Sequence, residues 1–300
     1  MDHFQYKNDI LHGEEVSLAE IAAQVGTPFY AYSSATLTRH FHAVDAALQD
    51  MDHLVCFAMK AASNQAIIKT LAGLGAGMDV VSGGEYRRAI AAGVAPERIV
   101  FSGVGKTREE MAFALCGGLR QFNVESEAEL EALNEVAVSL EMVAPITMRV
   151  NPDVDAKTHA KIATGKAENK FGIPISRASE VYARAASLPG LEAVGVDVHI
   201  GSQLTQLAPF ELAYRKLASV TQQLRAEGHD IRRLDLGGGL GIAYQADSGP
   251  LPSLQEYGAM VQRELGHLGC EIEVEPGRLI AGNAGVLVSS VIYVKSGEDR

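Results

Sequence analysis

The feature that most constrains this 300-residue chain is a regular alternation of short apolar segments with segments of helix length. Eight segments of strand length, most of them rich in branched apolar side chains, occur between residues 54 and 274. Strands that alternate with helices are typical of a parallel sheet, because the crossover between parallel strands is usually a helix. We therefore predict strands over residues 54–59, 77–81, 99–102, 121–124, 146–150, 193–200, 233–236 and 271–274.

Helix-length segments separate these strands, and residues that stabilise helix ends stand where several of them begin. Asn64, Thr107 and Ser126 are predicted N-caps, because their side-chain oxygens can accept from the unpaired N–H groups of a first turn. We predict helices over residues 64–73, 85–92, 108–115, 127–136, 177–186, 210–225 and 254–265. Eight regular units favour an α/β fold with a (β/α)8 barrel of the TIM type, and a doubly wound open sheet is the alternative.

Strand-like segments also occur outside the predicted barrel, at residues 27–32 and 285–294. An apolar strand needs a partner, because a bare strand edge invites aggregation. We therefore predict the start of a second, β-rich domain built from both chain ends, and we expect the chain to be truncated within it. In this prediction residues 1–35 contribute an N-terminal segment to that domain, 36–282 form the barrel, and 283–300 supply its first C-terminal strand.

The charge and cysteine content narrow the class of protein. A net charge of -11 and a pI near 5.3 argue against partners such as nucleic acid or an acidic membrane surface. No uninterrupted apolar stretch reaches the length of a membrane span. Cys56, Cys116 and Cys270 are far apart, which predicts reduced thiols in a reducing compartment and no zinc site. These features predict a cytoplasmic enzyme without a metal.

Lys60 is the most unusual residue of the predicted barrel, because it stands at the end of the apolar segment 54–59. Burial of a lone ammonium is costly and lowers its pKa, and a lysine with a lowered pKa is a good nucleophile for a Schiff base. The alternative is a lysine whose charged end reaches solvent from the strand end.

Charged and glycine-rich residues follow most of the other predicted strands, at the end where barrel enzymes place their chemistry. They are Asp79 and Glu85, Arg149, His199 with Ser202, the glycines Gly237, Gly238 and Gly239, and Glu275 with Gly277 and Arg278. The triglycine turn, expected to open a helical segment, would offer backbone N–H groups to a phosphate, and Ser202 and Arg278 could join it. The other parts of a pyridoxal 5'-phosphate site are also present. Glu275 offers a carboxylate for a pyridinium nitrogen, His199 an imidazole for stacking, and Lys60 an amine for the Schiff base.

The residues also carry a family resemblance. The segments FAMKA (57–61), VVSGGE (80–85), HIGSQ (199–203), GGG (237–239) and EPGR (275–278) resemble the alanine-racemase-type, pyridoxal-phosphate-dependent barrel decarboxylases. The segments RVNPDVDAKTH (149–159), TG (164–165) and KFGI (170–173) are similar to the branch of that family that acts on diaminopimelate. The implied reaction is decarboxylation of meso-diaminopimelate to L-lysine, the last step of lysine biosynthesis.

The resemblance assigns roles to the predicted site. It implies that Lys60 forms the Schiff base, that His199 stacks on the cofactor ring, and that Glu275 pairs with the ring nitrogen. It implies phosphate binding by Ser202, Gly237, Gly238, Gly239 and Gly277, and a place for Arg278 near the phosphate and a substrate carboxylate. It implies that Asp79 supports the cofactor and that Arg149 supports the ring and the substrate; a structural salt bridge is the alternative for each of these two and for Glu85.

The resemblance has two departures and leaves alternatives open. The family usually has asparagine where this chain has Ala62, and it completes its site with a cysteine from a partner subunit's β-domain, which none of the three cysteines matches. A homodimer is therefore expected only for the longer protein. The alternatives are a decarboxylase of ornithine, arginine or carboxynorspermidine, a non-catalytic pyridoxal-phosphate-binding barrel, and an inhibitory pseudo-enzyme, against which the presence of Lys60 argues.

Overall fold

The structure is a computed structural model that describes residues 3–155, 171–244 and 251–296. The segment 156–170, which includes part of the diaminopimelate-type motif, lies outside the described residues. Before the barrel, three short strands form an antiparallel sheet and are followed by a helix and a fourth strand. These are β1 (Phe4–Lys7), β2 (Ile10–Gly13), β3 (Val16–Ser17), α1 (Leu18–Val25) and β4 (Phe29–Tyr32).

Eight parallel strands form a closed barrel, because each strand pairs with the next in chain order and the last strand also pairs with the first. In chain order the strands are β5 (His53–Ala58), β6 (Gly77–Val80), β7 (Ile99–Phe101), β8 (Gln121–Val124), β9 (Ala144–Asn151), β11 (Leu191–Asp197), β12 (Arg233–Asp235) and β13 (Glu271–Val274). A further two-residue strand, β10 (Ile173–Pro174), pairs with the end of β9. Closure of the ring excludes the open doubly wound sheet.

Helices surround the barrel. They are α2 (Ser34–Leu48), α3 (Gln65–Gly73), α4 (Gly83–Ala91), α5 (Arg108–Cys116), α6 (Glu127–Ser139), α7 (Ala178–Ala186), α8 (Ala208–Ala226), α9 (Leu254–Leu265) and the short α10 (Arg278–Ala281). Asn64, Thr107 and Ser126 cap α3, α5 and α6, as predicted, each accepting from a backbone N–H of the first turn. No helix in these ranges is long and apolar enough to cross a membrane.

The two faces of the barrel strands differ in chemistry. On β5, Val55 and Phe57 belong to the large apolar core between the strands and the helices. The alternating residues Leu54 and Cys56 form a small separate cluster with Val100, on the side of the strands that faces the barrel axis. Most other inward positions are polar and fully buried, whereas barrel interiors are usually filled by branched apolar side chains.

The two ends of the chain meet outside the barrel, as predicted. Strand β14 (Gly285–Val288) pairs antiparallel with β4, with Gly285 opposite Tyr32 and Val288 opposite Phe29. The strand is shorter than the predicted segment 285–294, because pairing ends with Val288 and residues 291–294 are exposed. The domain boundaries at residues 35 and 282 stay predictions.

Candidate active site

A cavity of about 550 Å³ lies at the carboxyl ends of the barrel strands, a volume typical of small-molecule sites. It is lined by the strand-end residues that the sequence singles out and, at its outer side, by residues of the β4–β14 pair. The predicted residues that line it are Lys60, His199, Ser202, Gly237, Gly238, Gly239, Glu275, Gly277 and Arg278. Asp79 and Arg149 are buried behind this wall. Asp79 accepts a hydrogen bond from Lys60, and Arg149 donates one to the carbonyl oxygen of His199.

Lys60 enters the cavity from a single 3-10 turn, Met59–Ala61, that follows β5. Its Nζ lies 2.5 Å from Oδ2 of Asp79, a fully buried residue on the neighbouring strand β6. Burial by itself would lower the pKa of Lys60, but the charge of Asp79 and its hydrogen bond to Lys60 outweigh it and raise the pKa. The sequence-based prediction of a lowered lysine pKa is therefore wrong, because Lys60 has a carboxylate partner.

His199 follows β11, and its ring reaches the cavity wall. Gly238 donates its backbone N–H to Nδ1 of His199 over 3.0 Å, which assigns the ring proton to Nε2 in the neutral form. Loss of water around the ring, and then the positive charges of Arg149 and Lys60, lower the pKa of His199 well below its usual range. The imidazole is therefore neutral and suited to stacking.

Glu275 stands at the end of β13, where its side chain is buried. Its Oε1 accepts from Ser102 Oγ at 3.1 Å and from Asn123 Nδ2 at 3.3 Å. Burial, followed by the charges of Asp235 and Asp79, raises the pKa of Glu275 well above its usual range, and the charge of Lys60 opposes that rise. A carboxyl in this setting holds a proton until a cation comes to face it.

The triglycine turn needs glycine for steric reasons. A Cβ on Gly238 would lie 2.3 Å from the carbonyl oxygen of Glu275, and one on Gly239 would lie 2.4 Å from that of Gly201. Gly237 also has a φ of +61°, in the left-handed region that favours glycine. Contrary to the prediction, no helix follows the turn within the described residues up to Tyr244. The N–H groups of Gly237 and Gly238 donate to Asp235 and His199, which leaves the N–H of Gly239 for an anion.

Arg278 and Ser202 form the opposite wall of this part of the cavity. Arg278 Nε donates to Ser202 Oγ at 3.4 Å, and a second guanidinium nitrogen donates to the hydroxyl of Tyr244. The Arg278 guanidinium also lies 5.8 Å from the centre of the Tyr244 ring. These contacts hold a cation beside the glycine loop, where the predicted phosphate contacts would be made.

Arg149 is held by a two-point ion pair with Glu125, at 2.9 and 3.0 Å, and its Nη2 donates to the carbonyl oxygen of His199 at 3.3 Å. It therefore supports the segment that carries His199, and its predicted contact with substrate stays a prediction. Glu85 accepts from the backbone N–H of Val81 at 2.8 Å, a contact within its own strand-to-helix turn.

The sequence analysis missed the residues beneath the site. Ser102, Asn123 and Asp235 lie in or beside the predicted strands, and all three are buried around Glu275. The sequence did contain a signal for these three residues, because a polar residue at an inward position of a buried strand needs a hydrogen-bond partner. The contribution of Tyr30, Tyr32 and Leu287 to the cavity depends on the pairing of the chain ends and had no local signal.

The chain resembles known proteins over its whole length. Residues 34–282 match the family described as "Pyridoxal-dependent decarboxylase, pyridoxal binding domain". The diaminopimelate decarboxylase of Vibrio cholerae is 53% identical over 302 residues, which is 100% of this chain and 72% of that protein. The diaminopimelate decarboxylase of Pseudomonas aeruginosa is 50% identical over 300 residues, again 72% of its length.

Solved structures agree with these sequence matches. Diaminopimelate decarboxylase from M. jannaschii in complex with L-lysine superposes with a TM-score of 0.93 at 34% identity, covering 99% of this chain and 71% of that one. The Helicobacter pylori enzyme complexed with L-lysine gives a TM-score of 0.90 at 41% identity, covering 93% and 70%. With its barrel, its lysine and its glycine loop in place, this chain belongs to the family of pyridoxal-dependent decarboxylases, alongside the diaminopimelate decarboxylases.

Proposed function

We propose that the protein catalyses the pyridoxal-phosphate-dependent decarboxylation of meso-diaminopimelate to L-lysine and CO2. The observation that carries this proposal is the meeting of Lys60, Glu275 and the triglycine turn in one cavity. The relatives named diaminopimelate decarboxylase, at about half identity along the full chain, support the choice of substrate over ornithine, arginine or carboxynorspermidine.

The residues present fit pyridoxal phosphate. Gly237, Gly238 and Gly239 line the cavity as a loop that has no room for side chains, and Arg278 supplies a cation to the same cavity. The Oδ1 atom of Asp79 is buried without a hydrogen-bond partner among the described residues, so the Lys60–Asp79 pair retains an acceptor. We assign the phosphate to the glycines together with Ser202, Gly277 and Arg278, the ring nitrogen to Glu275, and the ring face to His199.

Pyridoxal phosphate supplies an electron sink that takes up the electron pair left when a substrate carboxylate departs as CO2. Glu275 holds its proton at the ring-nitrogen position, because burial and neighbouring carboxylates favour the protonated carboxyl and a facing nitrogen base can receive that proton. Lys60 supplies the attachment amine, and Asp79 holds that amine by a 2.5 Å bond while it is charged.

Two groups, His199 and Arg278, orient the reactants. His199 is uncharged, so it can cover the ring face without adding a positive charge beside Lys60. Arg278 points its guanidinium into the cavity wall near Ser202, where we place one carboxylate of the substrate. The walls from β4 and β14 limit the access of water to the side of the cavity away from the barrel.

We also propose that the protein, at its full length, acts as a homodimer in the cytoplasm. The exposed side chains of Val291, Ile292 and Tyr293, each at least 80% accessible, support an apolar partner surface beside the β4–β14 pair. Three free cysteines, of which Cys56 and Cys270 are buried, support a reducing compartment. Sedimentation of the protein with pyridoxal phosphate bound tests the dimer, and a monomer at micromolar concentration would contradict it.

The test of the proposed function is a covalent one. Borohydride reduction of the protein with pyridoxal phosphate, followed by peptide mapping, should place the label on Lys60. The variant Lys60→Ala should lose the label and the formation of L-lysine, whereas Lys69→Ala, an exposed lysine on α3, should keep both. A label on another lysine, or faster release of CO2 from ornithine or arginine than from meso-diaminopimelate, would contradict the assignment.

A further inference from the structure

The barrel interior beneath the cavity carries an unusual polar layer. Gln121, Asn123, Thr147, Asp235 and Glu273 are all fully buried there. Burial of so many polar groups is costly unless each has a hydrogen-bond partner. Gln121, Thr147 and Asp235 each bond to Asn123, which lies on β8 across the barrel from β13, and Glu273 joins them through Gln121.

The orientation of the Asn123 amide is set by its neighbours. Its Oδ1 accepts from Thr147 Oγ1 at 2.6 Å and from Gln121 Nε2 at 3.1 Å. Because both of these groups donate, the oxygen must face them, and the amide nitrogen must face the opposite side. On that side Nδ2 lies 2.9 Å from Asp235 Oδ2, 3.1 Å from Ser102 Oγ and 3.3 Å from Glu275 Oε1.

One amide nitrogen thus serves two neighbouring carboxyls. Asp235 has a second donor, the backbone N–H of Gly237 at 2.9 Å, and Glu275 has the hydroxyl of Ser102 at 3.1 Å. Because Asp235 Oδ2 and Glu275 Oε1 both lie within hydrogen-bond distance of one nitrogen, the two carboxyls are close neighbours, and their mutual repulsion favours a proton on one of them. The shorter bonds to Asp235 favour the negative charge on Asp235 and the proton on Glu275.

We propose that Asn123 is a positioning residue for Glu275, and that its amide holds the Glu275 carboxyl in one orientation by satisfying Asp235 at the same time. Without this amide, Asp235 Oδ2 would lose its donor at 2.9 Å, and the protonated carboxyl of Glu275, which shares that amide, could replace it. Glu275 would then turn toward Asp235 and away from the cavity. The inference rests on the proposed function, since Glu275 meets a ring nitrogen only if the cofactor is pyridoxal phosphate.

Other charged groups also act on Glu275 and stay unchanged in the test. They are Lys60 after β5, Asp79 on β6, Asp197 on β11 and Asp235 on β12. None of them bonds to Asn123 except Asp235. A change at Asn123 therefore reaches Glu275 through the shared carboxyl pair and the direct bond.

The test is a double-mutant cycle read out as affinity for pyridoxal phosphate, measured by absorbance titration of cofactor-free protein without substrate. Asn123→Leu keeps the side-chain volume and removes the donor, and it should weaken cofactor affinity about tenfold, as the loss of a hydrogen bond to a charged group does. In a Glu275→Gln background the same change should have little effect, because the carboxyl that Asn123 positions is gone.

Thr147→Val is the matched control, because it removes a buried hydrogen bond from the other end of the same amide. It should shift affinity by the same small factor with Glu275 or Gln at position 275. Asn123→Ser, whose side chain is too short to bridge both carboxyls, replaces Asn123→Leu if the latter does not give a cooperative thermal transition, and the same pattern is expected.

Equal losses in both backgrounds, or no loss for either Asn123 variant, would overturn the positioning role. Decarboxylation of meso-diaminopimelate is measured separately on the unchanged protein. A protein that binds the cofactor and shows the cycle but releases no CO2 would contradict the proposed function alone. A protein that binds no pyridoxal phosphate would contradict both.

Discussion

At the scale of single residues, each titratable group of the site has a neighbour that sets its charge. Lys60 keeps its proton because the charge of Asp79 and its hydrogen bond to Lys60 outweigh the cost of burial. His199 stays neutral because burial and two nearby cations disfavour its charged form. Glu275 is protonated because burial and the charge of Asp235 act in the same direction. The site thus holds one charged amine and one neutral acid.

The variant Glu275→Gln tests whether the Glu275 carboxyl supplies a proton to the ring nitrogen. The change preserves shape and keeps an oxygen that can accept from Ser102 and Asn123, but it cannot deliver a proton to the ring nitrogen. We expect decarboxylation to fall by about 10²–10³-fold, the loss seen when a single preorganised electrostatic partner is removed. Glu192→Gln, an exposed position paired with Arg232, is the control and should retain activity. Near-native turnover of the Glu275 variant, with a native unfolding curve, would exclude Glu275 as the ring partner.

His199 predicts a pH effect on stability. Because the folded pKa lies below the ordinary value of 6.5, the unfolded chain binds the proton more readily, and stability is lost as the pH falls below about 6.5. His199→Asn does not titrate, and its side-chain oxygen can accept from the N–H of Gly238. The free energy of unfolding of the unchanged chain should therefore decrease relative to that variant as the pH is lowered from 7 to 5. Parallel curves would contradict a neutral, buried imidazole.

At the scale of elements, the strands and helices were largely predictable. Strands β8 and β13 and helix α9 have the predicted bounds, and the other predicted barrel elements differ mainly at their ends. Helix α2 was not predicted. The predicted bounds are wrong where tertiary contacts determine where an element ends. Strand β11 ends at Asp197 rather than at residue 200, because the segment with His199 leaves the sheet and bonds to the glycine loop. The loop after β12 stays irregular for a similar reason, since Leu204 bonds to Gly239 and Gly241.

Gly238→Ala tests the triglycine turn as an element. Its added Cβ would press on the carbonyl oxygen of Glu275, a backbone atom that cannot move without displacing β13. We expect a loss of about 1–3 kcal/mol in the free energy of unfolding, the usual cost of overpacking, together with weaker binding of pyridoxal phosphate. Gly105→Ala, where a Cβ meets no atom within 4 Å, should change neither quantity appreciably. Equal stability of the two variants in urea unfolding would refute the steric argument.

At the scale of the whole molecule, an ion pair joins strands that are distant in sequence at the amino ends of the barrel. Arg120, just before β8, bonds to Glu271 and Glu273 of β13, which are more than 150 residues away. Glu273 is fully buried, and burial raises its pKa to about 7 even though Arg120 opposes the rise. The guanidinium therefore compensates a charge in the barrel interior.

Arg120→Met should cost about 3–5 kcal/mol at pH 8, because a buried Glu273 without its counter-charge must either stay ionised or take up a proton from solvent at that pH. The deficit should be smaller at pH 6, where Glu273 can take up a proton. Arg184→Met is the control, since the side chains of Arg184 and Glu131 are 52% and 42% exposed and solvent screens the pair. Urea unfolding at both pH values gives the comparison, and a pH-independent deficit would rule out a buried charge as its cause.

The barrel, its strand order and the residues at the strand ends followed from sequence alone, because the hydrophobic period and the chain direction are local properties. Parallel pairing of the strands then places all of their carboxyl ends on one side of the barrel. The charge states of the site residues did not follow from the sequence. Lys60 acquires its partner from β6, Glu275 acquires Ser102 and Asn123 from β7 and β8, and the outer cavity wall acquires β14 from the far end of the chain. A pKa and a hydrogen-bond network depend on distances between atoms far apart in the chain, and only the closed barrel determines those distances.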